Sequence, residues 1–391
     1  MFGKSIKFNN FNLKTKFNKK KKILNIYENL IKEKNEVILS LDKSYKDTFS
    51  KKVVNKLKKI NQVLVIGMGG SILGSKAIYK FLKPKNKKFI FVDNFSNIPL
   101  HNDNKKKITL IISKSGSTLE TISNSNILIN KKNTNIFITE NKKNYLTKLA
   151  QKLKAEIIHH NNFIGGRYSV LSEVGMLPAQ LMGFKPEKFR RLNNLINKKY
   201  FINSLIQNVT SIFDLVNKKK TNSIILNYDD KSNDLFSWYQ QLVAESLGKK
   251  GKGILPLISS MPKDNHSLMQ YYLDGNKNHF FTFFFVKEKN TKKIMNRSLL
   301  DTHLYLKNRG LNDVSYSQFL ATEKVFKQKK IPYRSFIINN RDEKTLGELF
   351  AFFIFETILL GRAMKINPFD QPAVELIKKQ TKKILISKKY S

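Results

Sequence analysis

The sequence contains no cysteine, and it has only 17 glycines, 9 prolines and a single tryptophan in 391 residues. Disulfide bonds, thiolate nucleophiles and cysteine-based metal sites are therefore excluded. No stretch of 18 or more uncharged apolar residues occurs, so we predict no membrane-spanning helix and no membrane partner. The apolar stretch Phe280–Val286 is too short to cross a bilayer and is typical of a buried strand.

Acidic residues are also scarce, with 29 Asp and Glu against 72 Lys and Arg, which gives a formal net charge of +43. Nucleic-acid binding is one interpretation of this excess. However, the basic residues are spread along the whole chain and form no stripe interleaved with aromatic residues. We therefore favour a solvated lysine surface and predict no nucleic-acid partner. Such a surface should attract small anionic molecules.

The first 27 residues contain no acidic residue, as a targeting peptide also would, but they include no arginine and no apolar signal core. We expect an ordinary basic segment here. The lack of cysteine is compatible with a reducing compartment, and we predict a cytoplasmic protein.

Strand and helix patterns alternate along the chain, which predicts an α/β fold. Short runs rich in β-branched residues, such as Val63–Ile66 and Thr109–Ile112, are separated by helical patterns such as Ile72–Leu82. This alternation predicts a parallel sheet covered by helices on both faces. A second series follows between Ser223 and Ile338, so we predict two lobes of this kind. The predicted segments are an N-terminal helical segment at 1–50, a first lobe at 51–190, a second lobe at 200–365 and a C-terminal helix at 366–391.

The first glycine-rich stretch, Val63–Gly74, is predicted to be a strand, a tight turn and the start of a helix at Ile72, with Ser71 as the N-cap. Backbone N–H groups at a helix N-terminus suit a phosphate group. A dinucleotide-binding turn is the rival, with Asp93 as the ribose-binding acid. The rival pattern requires a third glycine at position 72, which is isoleucine.

The second stretch, Leu110–Thr121, also leaves a strand and enters a helix. It carries five hydroxyl side chains, one glycine and Lys114 within nine residues. A phosphate monoester needs many short hydrogen-bond donors at once, so this loop favours phosphate binding over a solvated loop that only caps a helix. Both loops follow strands at the carboxyl edge of one predicted sheet, where ligands of open α/β sheets bind.

The pattern from Ser113 to Thr121 resembles the sugar-isomerase domain family. Four later stretches resemble the signatures of the phosphoglucose isomerase family and occur in the family order over roughly residues 60–385. These stretches are Gly165–Ser172, Gln240–Lys249, Pro262–Ser267 and Asn367–Lys378. The resemblance implies two sugar-isomerase-type lobes, each a mostly parallel sheet flanked by helices, followed by a C-terminal helix.

Aldose–ketose isomerisation moves a proton between C1 and C2 of an open-chain sugar through a cis-enediol(ate). The reaction needs a carboxylate base, a fixed positive charge near the developing oxyanion and an acid–base pair that opens the sugar ring. Glu245 is the predicted base, and Gln241 lies one helical turn earlier on the same face. Arg167 follows two glycines, and its planar, permanent charge suits an enediolate oxygen.

The resemblance assigns the remaining roles. His266 would help to open the ring from a neighbouring subunit, which implies a homodimer, and Lys378 would share in that step. Gln371 would contact the substrate; it precedes Lys378 by seven residues, so we expect both on one face of a helix whose first turn contains Pro372. The implied phosphate contacts are Gly70, Ser71, Ser113, Lys114, Ser115 and Thr118.

The implied activity is the reversible isomerisation of glucose 6-phosphate and fructose 6-phosphate in glycolysis and gluconeogenesis, with no metal or organic cofactor. Two alternatives stay open at this point. One is a dual phosphoglucose/phosphomannose isomerase. The other is a non-catalytic protein that binds sugar phosphates or associates with nucleic acid.

Overall fold

The computed structural model describes residues 3, 5–95, 106–289, 291–295, 299 and 301–387. Across these ranges, no helix combines the length and the apolar character needed to cross a membrane. Ten strands lie within the described residues and form two five-stranded sheets. The strands are β1 (Ile6–Asn9), β2 (Gln62–Gly67), β3 (Lys88–Val92), β4 (Ile108–Ile112), β5 (Thr134–Glu140), β6 (Glu156–His160), β7 (Asn222–Asn227), β8 (Leu255–Ser260), β9 (His279–Val286) and β10 (Tyr333–Ile338).

The first sheet has the strand order β3-β2-β4-β5-β6, and every neighbouring pair is parallel. All five residues of β4 are buried, as expected for a central strand covered on both faces. The four strands that were predicted for this lobe are confirmed. Strand β6 was not predicted, because this edge strand carries two histidines and a glutamate instead of a continuous apolar run.

The second sheet has the order β1-β10-β9-β7-β8, with four parallel strands and β1 antiparallel to β10 at one edge. The prediction that the N-terminal segment is wholly helical is therefore wrong at Ile6–Asn9. Ile6 and Phe8 are buried while Lys7 and Asn9 are exposed, which is the alternation of an edge strand. The predicted mostly parallel architecture of both lobes is confirmed.

Helices cover both sheets. Those in the described ranges are α1 (Phe17–Lys32), α2 (Glu36–Leu39), α3 (Lys51–Leu57), α4 (Leu73–Leu82), α5 (Leu119–Leu128), α6 (Tyr145–Lys152), α7 (Glu173–Leu181), α8 (Pro186–Phe189), α9 (Leu192–Leu195), α10 (Lys199–Asn217), α11 (Asn233–Leu247), α12 (Met269–Asp274), α13 (Leu311–Gln328), α14 (Glu343–Ala363) and α15 (Val374–Ser387). Short 3₁₀ turns occupy Gly69–Ser71, Gly166–Leu171, Asp230–Ser232, Lys263–His266 and Asp301–Leu306.

The two lobes pack through α4 and α11, and one large cluster of buried apolar side chains spans both, including Val65 of the first sheet and Phe284 of the second. Two smaller clusters, one in each lobe, are separate from it. Lys76 on α4 joins the lobes electrostatically, with its ammonium 2.6 Å from Asp93 and 3.8 Å from Asp234 at the start of α11. The side chain of Asp93, which the dinucleotide interpretation assigned to a ribose, is therefore engaged in an ion pair.

The C-terminal helix α15 begins at Val374, two residues after Pro372, and none of its residues is buried. The expected start at Pro372 is wrong. As a consequence Gln371 precedes the helix, so the predicted shared helical face of Gln371 and Lys378 does not exist. A proline at that position is compatible with the segment before a helix as well as with its first turn.

A fully buried ion pair lies between the second sheet and α14. The guanidinium of Arg334 contacts the carboxylate of Glu356, and both side chains are essentially inaccessible to solvent. Asn208, Tyr239 and Thr282 supply the remaining hydrogen bonds, so the polar atoms of the pair are satisfied. Removing one charge from such a pair strands the other in a dry environment.

We predict that Arg334→Met lowers the free energy of unfolding by about 3–5 kcal/mol, because the Glu356 carboxylate stays buried without its cation. Urea denaturation followed by circular dichroism would measure the loss. The matched control is Arg362→Met, which removes the same charge from an exposed pair with Glu33 and should cost about 0–1 kcal/mol. Equal losses for the two variants would contradict the prediction.

Candidate active site

The turn after β2 lies at the junction of the two lobes. A Cβ atom added to Gly70 would lie within 2.5 Å of the backbone of Gly166 and Arg167, so only glycine permits this approach. A Cβ added to Gly69 would lie 2.6 Å from Nε2 of Gln241 on α11. Ser71 ends the 3₁₀ turn, and α4 begins at Leu73 after Ile72, so the expected N-cap role of Ser71 is wrong. The turn nevertheless brings Gly70 against the backbone of Arg167, while a contact of Ser71 with phosphate stays a prediction.

The hydroxyl loop, residues 113–118, connects β4 to α5. The hydroxyl of Ser113 lies 2.9 Å from that of Thr118, and the hydroxyl of Ser117 donates to that of Ser115 at 3.0 Å. Thr118 is the N-cap residue of α5, yet its side chain caps no N–H group of the helix. The first turn of α5 therefore keeps backbone donors for an anion, and the helix dipole adds a partial positive charge there.

Lys114 points from the hydroxyl loop toward the segment before Arg167. Its ammonium donates to the carbonyl oxygens of Asn162 at 2.6 Å and Ile164 at 3.1 Å. Burial lowers the pKa of this ammonium, an effect that the nearby Glu140 opposes and Lys142 reinforces. An ammonium has three donors, so one remains for an anion. A direct contact of Lys114 with phosphate stays a prediction.

Arg167 occupies the centre of the site and is only 3 % exposed. Its Nε donates to the Ser246 hydroxyl at 2.8 Å, and its Nη2 donates to the carbonyl oxygens of Pro368 at 2.8 Å and Asp370 at 3.0 Å. Its Nη1 lies 3.0 Å from Oε1 of Gln371 and 3.4 Å from Oε2 of Glu245. A substrate oxygen could take the place of Gln371 or Glu245 as the acceptor of the Nη1 hydrogen bond.

Glu245 and Gln241 lie on the face of α11 that meets the first lobe. Nε2 of Gln241 donates to Oε1 of Glu245 at 2.8 Å, as the one-turn spacing predicted. The carboxylate of Glu245 keeps 31 % of its side-chain surface exposed, so a ligand can reach it. Oε1 of Gln241 is buried and accepts no hydrogen bond from any described residue, which leaves it free to accept one from a sugar hydroxyl.

The segment from Asn367 to Gln371 is held against α11 by Lys249. Its ammonium lies 2.5 Å from the carbonyl oxygens of Asn367 and Asp370 and from the Asp370 carboxylate. The hydrogen bond from Lys249 holds the pKa of the Asp370 carboxyl below its usual value. Lys249 thus orients the carbonyl groups that receive Arg167.

His266 and Lys378 lie apart from this centre within the chain. His266 is exposed in the 3₁₀ turn after β8, and Lys378 is exposed on α15, where it pairs with Glu375 at 2.7 Å. Within the described ranges, no hydrogen bond or ion pair joins either side chain to Glu245 or Arg167. Their roles in ring opening stay predictions.

Three supporting residues were not predicted, although all of them lie inside the quoted motifs. The hydroxyl groups of Ser246 and Tyr168 lie 2.9 Å apart; Ser246 accepts from Arg167, and Tyr168 donates to the carbonyl of Pro368, as Arg167 also does. They directly follow Glu245 and Arg167, and that adjacency was the available signal. Lys249 ends the stretch Gln240–Lys249, but no role was predicted for it, because composition does not distinguish one lysine from another.

The assembled site offers one carboxylate, one fixed guanidinium and a separate cluster of hydroxyl and N–H donors. Contacts link them: Lys114 of the hydroxyl loop binds the carbonyl of Ile164, and Arg167, three residues later, reaches Glu245. Among the described side chains, no three His, Asp or Glu residues converge as a metal site would require. The arrangement suits proton transfer at a carbon atom beside an oxygen that becomes negatively charged.

Comparison with known proteins agrees with this geometry. The family model described as phosphoglucose isomerase matches residues 16–255. The chain is 31 % identical over 376 residues to a glucose-6-phosphate isomerase of Methanocaldococcus jannaschii, covering 91 % of this chain and 92 % of the relative. It is 33 % identical over 365 residues to a glucose-6-phosphate isomerase of Mycoplasmopsis pulmonis, covering 85 % and 84 %.

Solved structures share the fold. A hypothetical protein of Thermus thermophilus superposes with a TM-score of 0.81 at 21 % identity and covers 94 % of both chains. A glucose-6-phosphate isomerase of Chlamydia trachomatis superposes with a TM-score of 0.65 at 18 % identity, covering 98 % of this chain and 82 % of the other. The family match over more than half of the chain and the near-complete alignment with the archaeal relative lead to one conclusion: this chain belongs to the phosphoglucose isomerase family.

Proposed function

We propose that this protein interconverts glucose 6-phosphate and fructose 6-phosphate, a step of glycolysis and gluconeogenesis. The observation that carries the proposal is the Glu245 carboxylate, accessible and 3.4 Å from the buried Arg167 guanidinium. The relatives that align over most of their length are named glucose-6-phosphate isomerases. A cytoplasmic location belongs to the same proposal, since charged sugar phosphates do not cross membranes unaided.

The proposed reaction begins with the open-chain sugar. Glu245 removes the proton from C2 of the aldose, and the electrons move to the carbonyl oxygen at C1 to form a cis-enediol(ate). Nη1 of Arg167 stabilises the negative oxygen, in place of its contact with Gln371 or Glu245. The hydroxyl proton at C2 passes to the oxygen at C1, the protonated Glu245 returns its proton to C1, and the C2 oxygen becomes the carbonyl of the ketose. The reverse reaction uses the same groups.

The phosphate group is proposed to lie at the hydroxyl loop and the open first turn of α5. Ser113, Ser115 and Thr118 supply hydroxyl groups, and the turn at Gly70 and Ser71 completes the cluster. Only residues with neutral or positive side chains form the loop from Ser113 to Thr118. This lack of acidic groups favours a dianionic ligand, because no carboxylate in the loop repels it.

Ring opening is proposed to require a second subunit. His266 is exposed at the end of β8, which is the outer strand of the second sheet. Apolar side chains on β8 and on α12, the elements that flank its turn, are also exposed: Leu255 by 51 %, Leu257 by 39 % and Tyr271 by 53 %. An edge strand with exposed apolar residues is a surface that proteins normally cover. A homodimer that buries this surface would bring His266 to the neighbouring site, where Lys378 is proposed to assist.

We predict that Glu245→Gln binds glucose 6-phosphate with nearly unchanged affinity but lowers kcat by about 100- to 10,000-fold, because the essential base is lost. A coupled assay and isothermal titration calorimetry would measure the two quantities. Glu28→Gln, which removes the same charge from the exposed face of α1, is the control and should behave like the native protein. A native protein that binds the sugar without turnover would instead support a non-catalytic sugar-phosphate-binding protein.

We further predict that co-expressed Glu245→Gln and His266→Asn subunits regain activity that neither variant has alone. If His266 acts across the interface, each mixed dimer contains one site with both defects and one intact site. About one quarter of all sites should then be active in a random mixture of symmetric dimers. The absence of any recovery, or a solution mass equal to the monomer mass of 45.4 kDa, would contradict donation across an interface.

A further inference from the structure

A buried histidine lies beside the site but touches none of the residues assigned to substrate. His160 ends β6, and its side chain is 1 % exposed. Its Nδ1 lies 2.7 Å from Oε1 of Glu173, and its Nε2 lies 3.0 Å from the carbonyl oxygen of Ile164. Both ring nitrogens are therefore engaged by oxygen atoms, and a backbone carbonyl can only accept, so Nε2 is the donor to Ile164. The ring and the Glu173 side chain form a buried, hydrogen-bonded pair.

The Glu173 side of the pair is fully engaged. Its carboxylate also accepts from the backbone N–H of Asn161 at 2.7 Å and from the Tyr45 hydroxyl at 3.1 Å. Burial opposes the charge of this carboxyl, but the hydrogen bonds, led by the one from His160, outweigh it and the pKa of Glu173 is lowered. A buried polar pair of this kind adds little net stability compared with apolar residues of similar size. Stability alone therefore does not account for its presence beside the site.

The carbonyl of Ile164 connects this pair to the site. It accepts from Nε2 of His160 and, at 3.1 Å, from Nζ of Lys114 on the hydroxyl loop. Two glycines follow Ile164 and precede Arg167, so the backbone at that point has unusual freedom. The two hydrogen bonds to the Ile164 carbonyl restrict the backbone conformation immediately before Arg167.

We propose that His160 is a positioning residue for the reaction. By fixing the carbonyl of Ile164, it sets the position of Arg167 and keeps Lys114 and the hydroxyl loop in register with it. Glu173 acts through His160, because its hydrogen bond to Nδ1 holds the ring in the orientation in which Nε2 donates to Ile164. This inference rests on the proposed isomerase function. It goes beyond it by giving a role to a residue outside the substrate contacts.

Two substitutions at one position separate positioning from stability. In His160→Gln, the amide nitrogen reaches the place of Nε2, so the bond to Ile164 is kept and the bond to Glu173 is lost. In His160→Asn, the amide nitrogen replaces Nδ1, so the bond to Glu173 is kept and the bond to Ile164 is lost. Urea denaturation would measure stability, and a coupled assay with glucose 6-phosphate would give kcat and KM for each variant.

Positioning predicts opposite orders for the two measurements. His160→Asn should lower kcat/KM by about 10- to 100-fold, the scale of a small misplacement of catalytic groups, while His160→Gln stays within about threefold of the native enzyme. Both variants lose the imidazole ring, but only His160→Gln also removes the hydrogen bond to the buried Glu173 carboxylate. It should therefore be the less stable of the two. An activity order that follows the stability order would overturn the proposal.

A double variant tests the second donor to the Ile164 carbonyl, which is Lys114. Lys114→Met removes the second donor to Ile164 from a partly exposed position. It should lower kcat/KM by a smaller factor when His160→Asn is already present, because both changes release one carbonyl. Equal factors in the two backgrounds would contradict the shared role.

If His160→Asn does not fold, the effect of Lys114→Met in a second background still tests the positioning role of His160. His160→Gln then takes its place, and it keeps the bond to Ile164. Lys114→Met should consequently lower kcat/KM by the same factor in the native and the His160→Gln proteins. A clearly smaller factor in the His160→Gln protein would overturn the proposal.

The outcomes for the two proposals differ. If the native protein shows no turnover of glucose 6-phosphate, the proposed function fails. In that case the order of the two variants is read from their affinity for glucose 6-phosphate by calorimetry, and a weaker affinity for His160→Asn than for His160→Gln still supports positioning of the loop. If the native protein is active and both variants match it in kcat and KM, only the positioning role fails.

Discussion

The buried guanidinium of Arg167 is the group on which the arrangement of the site depends. It donates to Ser246 beside the predicted base, to Glu245 itself, and to the carbonyl groups of Pro368 and Asp370. One cation therefore joins the turn after β6, the helix α11 and the segment that leads to the C-terminus. A buried charge is tolerated only where acceptors surround it, so the cation and these three parts of the chain hold one another in place.

The division of the site between two lobes has an electrostatic reason. The first lobe presents hydroxyl groups, a helix N-terminus and the cation of Lys114, which together suit an anion. The second lobe presents the carboxylate of Glu245, which would repel that anion if it lay in the same loop. Gln241 occupies the boundary, with its amide against both Glu245 and the turn at Gly69. The net charge of +43 adds a long-range attraction for anionic substrates that salt would screen.

The fold could be predicted where the pattern is local and strong. Continuous apolar runs identified the central strands, such as β4, because strands covered on both faces exclude polar residues. The edges were harder. Strand β1 joins the second sheet by pairing Ile6 with Ile338, a partner far away in the chain. Strand β6 contains the buried His160, but its sequence is too polar to indicate a strand. Edge strands carry mixed residues because one side of each faces solvent or an irregular neighbour, so their sequences resemble those of loops.

The chemical groups available at the site could be recognised from the order of the residues: the hydroxyl-rich loop, the arginine after two glycines, and the glutamate one helical turn after a glutamine. Such local patterns can be interpreted from the sequence, because neighbouring residues share a helix or strand and the relative directions of their side chains follow from its geometry. The contacts between distant groups, such as Arg167 with the carbonyl of Pro368 and Lys114 with that of Ile164, depend on how the folded chain packs. Backbone carbonyls are identical at every residue, so no sequence pattern can indicate which of them a buried cation will find.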